Sequence, residues 1–184
     1  MSRFRIHDEE SAPEGSQPIL KGALKSGGQL PNFLGVLGGA PAALRAYVRF
    51  RGELRKHALP GGTAERIGLA VAAHFHSAAD SELHVRAARA AGIGVDEIRR
   101  AQRWGSVDAA QQALLKWLEP LATQEGAPPD HVHEAALEHG WTDEQLLEAL
   151  ALVSLESFQA MVDVAGDVPV DGSTEATRQL RAVA

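Results

Sequence analysis

The sequence contains no cysteine. Without a thiol the chain forms no disulfide scaffold, thiolate zinc site or iron–sulfur cluster, and it cannot catalyse through a thiolate of its own. Aromatic residues are also scarce, at 5% of the 184 residues, although apolar residues make up 45%. A chain of this length and composition can bury one sizeable core without covalent staples. We therefore expect one domain.

The chain also lacks an excess of positive charge. It has 24 acidic against 18 basic side chains, a net charge of -6, and an isoelectric point near 5.7. Nucleic acids and anionic membranes are bound through basic surfaces that displace counterions, so neither is an expected partner. Small molecules and other proteins are the expected partners.

Long uninterrupted apolar runs are absent too. The longest runs, around Ile67–Ala73 and Leu150–Val153, are far shorter than a membrane span. The N-terminal residues become acidic before any apolar run that could form the core of a signal peptide. We expect a soluble, cytoplasmic protein.

Alanine, leucine, glutamate and arginine recur with helical spacing, whereas alternating strand formers are rare, so the pattern predicts an all-α fold. The predicted single domain covers residues 1–171, begins with an extended lead-in and leaves a flexible tail at 172–184. The helices are expected at 16–25, 32–37, 41–57, 80–91, 95–103, 107–124 and 130–138, with one more beginning at Thr63 and a long one ending at Gly166.

Three local signals mark helix ends. Gly28 suits a C-terminal cap, and Thr63 is a candidate N-terminal cap. Thr142 and Gln145 stand in capping-box spacing before the last helix. The tryptophans occupy apolar positions or helix ends and are predicted packing anchors: Trp104, Trp117 and Trp141.

The residues that could carry chemistry cluster between Glu65 and His84. Ser77, Asp80 and His84 are separated by three and four residues, so on one continuous helix their side chains share a face. His76 is likewise four residues before Asp80. Glu65 lies one helix upstream and reaches this group if the two helices pack back on each other.

Three interpretations of this cluster stay open. In an acid–base site, Asp80 or Glu65 orients His84, and the imidazole moves a proton on a small substrate held over Ser77. In a metal site, His76, Asp80 and His84 supply two imidazoles and a carboxylate for iron, manganese or zinc. In a structural network, the same groups satisfy one another's hydrogen bonds. A covalent role for Ser77 is not expected, because no nucleophile elbow surrounds it.

Several motifs together resemble one family. Leu30-Pro31-Asn32-Phe33, the helix start Ala40-Pro41-Ala42-Ala43-Leu44, the Glu65-Arg66 helix, the His84 helix ending at Gly92 and the Thr142–Leu146 helix follow one another in family order. Over about Met1 to Asp171, the chain resembles the alkylhydroperoxidase AhpD-like superfamily, which includes the carboxymuconolactone decarboxylases. The resemblance implies an all-helical subunit.

The redox branch of that superfamily carries a glutamate, eleven residues, Cys-x-x-Cys, three residues and a histidine. Glu65 and His84 stand at the two ends of this pattern, but Ser77 and Asp80 replace the cysteines. In the family the cysteines reduce peroxide while the glutamate and histidine relay protons. The resemblance therefore implies a retained proton relay without thiol peroxidase activity.

The leading hypothesis is thus a cysteine-free AhpD-like protein that moves a proton on a small organic substrate. His84 is its acid–base, Asp80 the orienting partner, Glu65 a relay and Ser77 a hydrogen-bonding contact. The alternatives are a non-catalytic binding or assembly protein and a metal-dependent enzyme. No cofactor is expected beyond that divalent metal. The resemblance also implies a homo-oligomer, a trimer or a hexamer, in which the C-terminal helix helps to wall the site at a subunit interface.

Overall fold

A computed structural model describes residues 2–172 of the chain. Within this range all regular structure is helical, which confirms the predicted all-α class. In chain order the helices are α1 (Gln17–Gly27), α2 (Asn32–Leu37), α3 (Pro41–Leu54), α4 (Thr63–His74), α5 (Ala78–Ala90), α6 (Val95–Ala101), α7 (Ala109–Ala122), α8 (Asp130–Glu138) and α9 (Asp143–Gly166).

The chain, predicted as one domain, divides into two compact units. One unit is Glu53–Ala160, and the other combines the residues up to Gly52 with those from Met161 onward. Most of the predicted C-terminal tail, residues 173–184, lies outside the described residues. The candidate site residues all belong to the Glu53–Ala160 unit.

In the unit formed by residues 2–52 and 161–172, the lead-in before α1 is non-helical, but it is not extended throughout as predicted, because residues 9–11 form a turn. The backbone N–H of Arg3 donates to the carbonyl of Gly166 at 2.6 Å, and that of His7 donates to Gly35 at 3.0 Å. The side-chain amide of Asn32 donates to the carbonyl of Pro169 at 2.9 Å. These bonds fasten residues from opposite ends of the sequence.

The core of the Glu53–Ala160 unit surrounds α4. Its residues from Ile67 to Ala72 are all buried, because the helix is apolar on most sides. Aliphatic residues of α7 and α9 pack with α4 in one cluster. All three tryptophans lie buried in this cluster, which confirms their predicted packing role.

Helices α4 and α5 form a helical hairpin, and the segment that connects them carries polar side chains. His76 has φ 56°, a left-handed conformation that reverses the chain, and the N–H of Ser77 donates to the carbonyl of Ala72 at 3.0 Å. The Ser77 hydroxyl then caps α5 by accepting from the N–H of Asp80 at 3.2 Å. Helix α5 packs back along α4, as the sequence interpretation required for Glu65 to reach the cluster.

Several helix ends differ from their predicted positions. Helix α4 is preceded by Gly62 at φ 78°, so Gly62 and not Thr63 is the capping residue. The Thr63 hydroxyl instead accepts a buried hydrogen bond from the amide of Gln111 at 2.8 Å. Helix α3 ends at Leu54, before the expected His57, and α5 begins at Ala78 because Ser77 caps it.

Helix α9 confirms the predicted long C-terminal helix and its capping box. The Thr142 N–H donates to Oε1 of Gln145 at 3.1 Å, and the Gln145 N–H donates to Oγ1 of Thr142 at 3.2 Å. By length and mean composition this helix could cross a membrane, although its polar residues interrupt every apolar run. Half of its most apolar window is buried, and Leu152 and Val153 are core residues, so α9 serves as a core helix here.

Candidate functional site

The candidate site is centred on the imidazole of His84, which α5 carries into the interior of the Glu53–Ala160 unit. The residue is only 6% exposed. Its Nδ1–H donates to Oε2 of Glu65 on α4 at 3.3 Å, and its Nε2–H donates to Oε2 of Glu156 on α9 at 3.2 Å. The ring therefore lies between two carboxylates, and its two nitrogens bind one each.

The ring occupies the space that a side chain would need at Gly68. A Cβ placed on Gly68 would overlap three atoms of the imidazole. Gly68 lies one turn after Glu65 on α4, so the same helix supplies both the carboxylate and the surface against which the ring rests. The absence of a side chain at this position is thus a requirement of the buried histidine.

The electrostatics of the site favour the protonated imidazole. Burial by itself lowers the pKa of His84, but the carboxylates of Glu156 and Glu65 outweigh it and raise the pKa from 6.5 to about 9. At neutral pH the ring is therefore an imidazolium with two N–H donors, which matches the two acceptors beside it.

Exposure to solvent separates the members of this group. The Glu65 side chain is 29% exposed, whereas those of His84 and Glu156 are 8% and 10% exposed. Of these three side chains, that of Glu65 is thus the most accessible to solvent, and it is hydrogen-bonded to the buried His84.

Ser77 and Asp80 form a second, adjacent part of the buried polar network. The Ser77 hydroxyl caps α5, and the side-chain amide of Gln159 on α9 donates to Oδ1 of Asp80. Asp80 was expected to orient His84, but Glu65 and Glu156 are the residues that engage the two ring nitrogens. The carboxylate partners of the imidazole thus come from α4 and α9, not from its own helix.

The predicted metal ligands do not come together. His76 is exposed at the joint between α4 and α5, whereas Asp80 and His84 are buried. Across residues 2–172 no group of three or more histidine, aspartate or glutamate side chains is arranged to hold a metal ion. The geometry therefore does not favour the His76, Asp80 and His84 ligand set.

Three site residues were missed from the sequence: Gly68, Glu156 and Gln159. A signal for the latter two was present, because they continue the spacing of the buried Ala149 and Leu152 along one face of α9. Polar residues on a buried helix face need buried partners. For Gly68 the signal was a lone glycine within an apolar helix.

Fold and site together define a cysteine-free, all-helical protein with a buried carboxylate–imidazole–carboxylate group. The model of the Carboxymuconolactone decarboxylase family matches residues 41–123. Over this segment, which is less than half of the chain, the sequence is similar to that family. No curated protein matches the chain by sequence.

Solved structures share the fold over nearly the whole chain. The alkylhydroperoxidase AhpD core of an uncharacterized peroxidase-related protein from Ralstonia eutropha JMP134 matches with a TM-score of 0.80, 18% identity and 93% coverage of both chains. A peroxidase-related protein from Silicibacter sp. TM1040 matches with 0.76, 16% identity and coverage of 92% and 91%. The debrominase Bmp8, in a complex with 2,3,4-tribromopyrrole, matches with 0.74, 15% identity and coverage of 100% and 98%. These similarities confirm the AhpD-like fold.

Proposed function

We propose that this protein is an enzyme that transfers a proton to or from a small organic substrate at Glu65. The observation that supports this proposal is that the side chains joined by hydrogen bonds in the site differ in their exposure to solvent. Glu65 is the partly exposed member, and His84 is the buried group hydrogen-bonded to it. A carboxylate at a solvent-facing position with a proton donor behind it is an arrangement suited to general acid–base catalysis.

In the protonation direction, Nδ1 of His84 passes its proton to the Glu65 carboxylate, and the carboxylic acid formed there gives that proton to the substrate and returns to the carboxylate. The imidazole becomes neutral and keeps the Nε2–H that faces Glu156. One proton leaves the site in each turnover, and solvent restores it. The roles expected from the sequence are therefore exchanged, since Glu65 meets the substrate and His84 acts through it.

The comparisons support the small organic substrate class. The debrominase that shares this fold was solved with a halogenated pyrrole, so the fold accommodates a small heteroaromatic molecule in that relative. Here the absence of cysteine leaves proton transfer, and not thiol redox chemistry, as the chemistry that the chain's own side chains supply. No cofactor forms part of the proposal.

Proton transfer can be tested before the full reaction is known. The protein is incubated in D₂O with a panel of lactones, small carboxylic acids and pyrroles, and deuterium incorporation at carbon is followed by mass spectrometry. We expect incorporation by the wild type and a loss of about a hundredfold or more in Glu65→Gln and in His84→Gln.

Two exposed residues provide matched controls for these substitutions. Glu144→Gln and His131→Gln make the same chemical changes at exposed positions and are expected to retain the wild-type rate. Incorporation that persists unchanged in Glu65→Gln would contradict the proposal. Unfolding of each variant is measured in parallel, so that a loss of rate is not confused with a loss of fold.

The second candidate is a non-catalytic binding or assembly protein. It is favoured by one observation, which is that both nitrogens of His84 are already engaged by side chains of the same chain. A purely structural network predicts no deuterium incorporation with any compound and a similar loss of stability in Glu65→Gln and His84→Gln. The same set of variants therefore discriminates between the two candidates.

We also propose a cytoplasmic homo-oligomer, a trimer or a hexamer. This proposal rests on the family resemblance and on the 66% exposed Leu147 of α9, an apolar side chain suited to a subunit contact. Light scattering coupled to size exclusion measures the mass of the particle directly. A monomer at micromolar concentration would contradict it.

A further inference from the structure

Glu156 contacts the one site atom that the proposed proton transfer leaves unused. Its Oε2 lies 3.2 Å from Nε2 of His84, on the side of the ring that faces α9. The two residues are 72 positions apart in the chain, so this contact exists only in the folded unit. Neither the spacing around His84 nor the family resemblance assigned Glu156 a role.

The contact constrains both the orientation and the protonation of the ring. A neutral imidazole has one N–H donor, whereas two acceptor carboxylates need two. With Glu65 at Nδ1 and Glu156 at Nε2, the ring binds both partners fully only when both nitrogens carry protons. A flip of the ring about the Cβ–Cγ bond would place Cδ2 and Cε1 where the nitrogens lie and would break both bonds. The overlap with any Cβ at Gly68 shows how closely the ring rests on α4.

Two further carboxylates of the unit have hydrogen-bond partners of their own. Asp80, on the same helix as His84, accepts a hydrogen bond from Gln159. Glu97 of α6 accepts from the guanidinium of Arg66 at 2.8 Å. The carboxylates hydrogen-bonded to the imidazole are thus Glu65 on α4 and Glu156 on α9, and of these two Glu156 is the more buried.

We propose that Glu156 is a positioning residue that fixes the His84 ring with Nδ1 toward Glu65 and retains a proton on Nε2. This inference rests on the proposed function for its consequence in turnover. By holding the Nε2–H, Glu156 leaves the Nδ1 proton as the one that moves to Glu65. Its carboxylate also stabilises the imidazolium, so the site is loaded with a proton at neutral pH.

The experiment compares wild type with Glu156→Gln and Glu156→Asp by NMR of ¹⁵N-labelled protein. The His84 ring signals are assigned by their loss in His84→Gln. We expect both ring nitrogens of the wild type to be protonated at pH 7. Glu156→Gln is expected to lower the pH at which His84 titrates by at least about one unit, a tenfold loss in proton affinity, while Glu156→Asp retains part of the effect.

Glu144→Gln on the same helix serves as the charge-matched control and should leave the titration unchanged. If His84 titrates at the same pH in Glu156→Gln as in the wild type, the proposal is wrong. If Glu156→Gln fails to fold, Glu156→Asp provides the test. Unchanged signals from both ring nitrogens in that variant would show that the contact is not needed, and the proposal would be wrong.

The turnover readout separates this inference from the proposed function. Where deuterium incorporation is detected, the pH profile of kcat should move with the His84 titration, and KM should change little. A titration that shifts in a protein without any proton transfer would leave Glu156 as the residue that holds the ring and would overturn the proposed function. Proton transfer by the wild type, together with a His84 titration that does not shift in Glu156→Gln, would support the proposed function and overturn the positioning role of Glu156.

Discussion

His84 and Gly68 are complementary in shape: the imidazole ring of His84 fills the space that any side chain at position 68 would occupy. The two residues lie on neighbouring helices, α5 and α4, whose close packing brings Nδ1 of the ring to Glu65. A glycine within a helix destabilises it by about 0.5–1 kcal/mol relative to alanine. At position 68 this loss of helix stability is the condition for placing the histidine ring against α4.

Gly68→Ala is expected to destabilise the protein by about 1–3 kcal/mol, because the new methyl group must displace the ring or separate the helices. Urea unfolding measures the change. Gly22→Ala is the matched control: it lies within α1 and its Cβ would meet nothing within 4 Å, so a gain in stability is expected there. Equal effects of the two substitutions would show that the ring is not fixed at Gly68.

The stability of the protein should decrease as pH rises through the titration of His84. Its pKa is raised from 6.5 to about 9, so its contribution is fully present below pH 6.5 and is lost as pH rises through about 9. The linked free energy is at most about 3 kcal/mol.

Unfolding free energies between pH 6 and pH 10 test this dependence. We expect the wild type to lose more stability over this range than His84→Gln does. His131→Gln, which removes an exposed histidine, should retain the wild-type slope. A wild type and His84→Gln with parallel profiles would exclude a charged, paired His84.

The helices and their caps could largely be predicted because they depend on nearby residues. The capping box of Thr142 and Gln145 and the C-terminal cap at Gly28 need only a few neighbouring positions, and both are confirmed. Thr63 was assigned the wrong role, since a threonine suits a cap locally but its hydroxyl is used here by the distant Gln111. Tertiary contacts overrode the local preference.

The spacing of residues along the sequence predicted only the part of the site that lies on α4 and α5. Glu65 and His84 were found because they lie on consecutive helices that pack together. Glu156 was not, because it comes from α9 and becomes a partner of His84 only through the fold. The spacing of Asp80 and His84 placed them on one face of α5 but could not show that α9 would supply the second ring partner.

Glu97 should stabilise the protein at neutral pH and lose that effect in acid. Its carboxylate accepts from Nε of Arg66 at 2.8 Å and from the N–H of Val107 at 2.9 Å, and it also binds the Ser106 hydroxyl. Burial raises the pKa of Glu97, but these bonds outweigh it and leave the pKa below 4.5. The contribution is therefore present above pH 4.5 and is lost as pH falls through the lowered pKa.

Glu97→Gln is expected to cost about 2 kcal/mol at pH 7, the scale of a lost charged hydrogen-bond partner. The difference from the wild type should shrink in acid, which chemical unfolding from about pH 7 down to pH 3 measures. Glu134→Gln, at an exposed position of α8, is the control and should change little. A difference that stays constant down to pH 3 would argue against an ionised, paired Glu97.

The protein should not reduce organic hydroperoxides through a thiol cycle, although it shares its fold with peroxidase-related proteins. By the resemblance to the redox branch, Ser77 and Asp80 correspond to its two cysteines; in this structure Ser77 caps α5 and Asp80 accepts from Gln159. Neither side chain can form a sulfenic acid or resolve one as a disulfide. Consumption of cumene hydroperoxide with a dithiol reductant is expected to equal that of the His84→Ala control, and turnover above that control would refute the prediction. Addition of both Ser77→Cys and Asp80→Cys supplies the missing thiols beside the retained Glu65 and His84, so any peroxidase activity should arise only in that double variant.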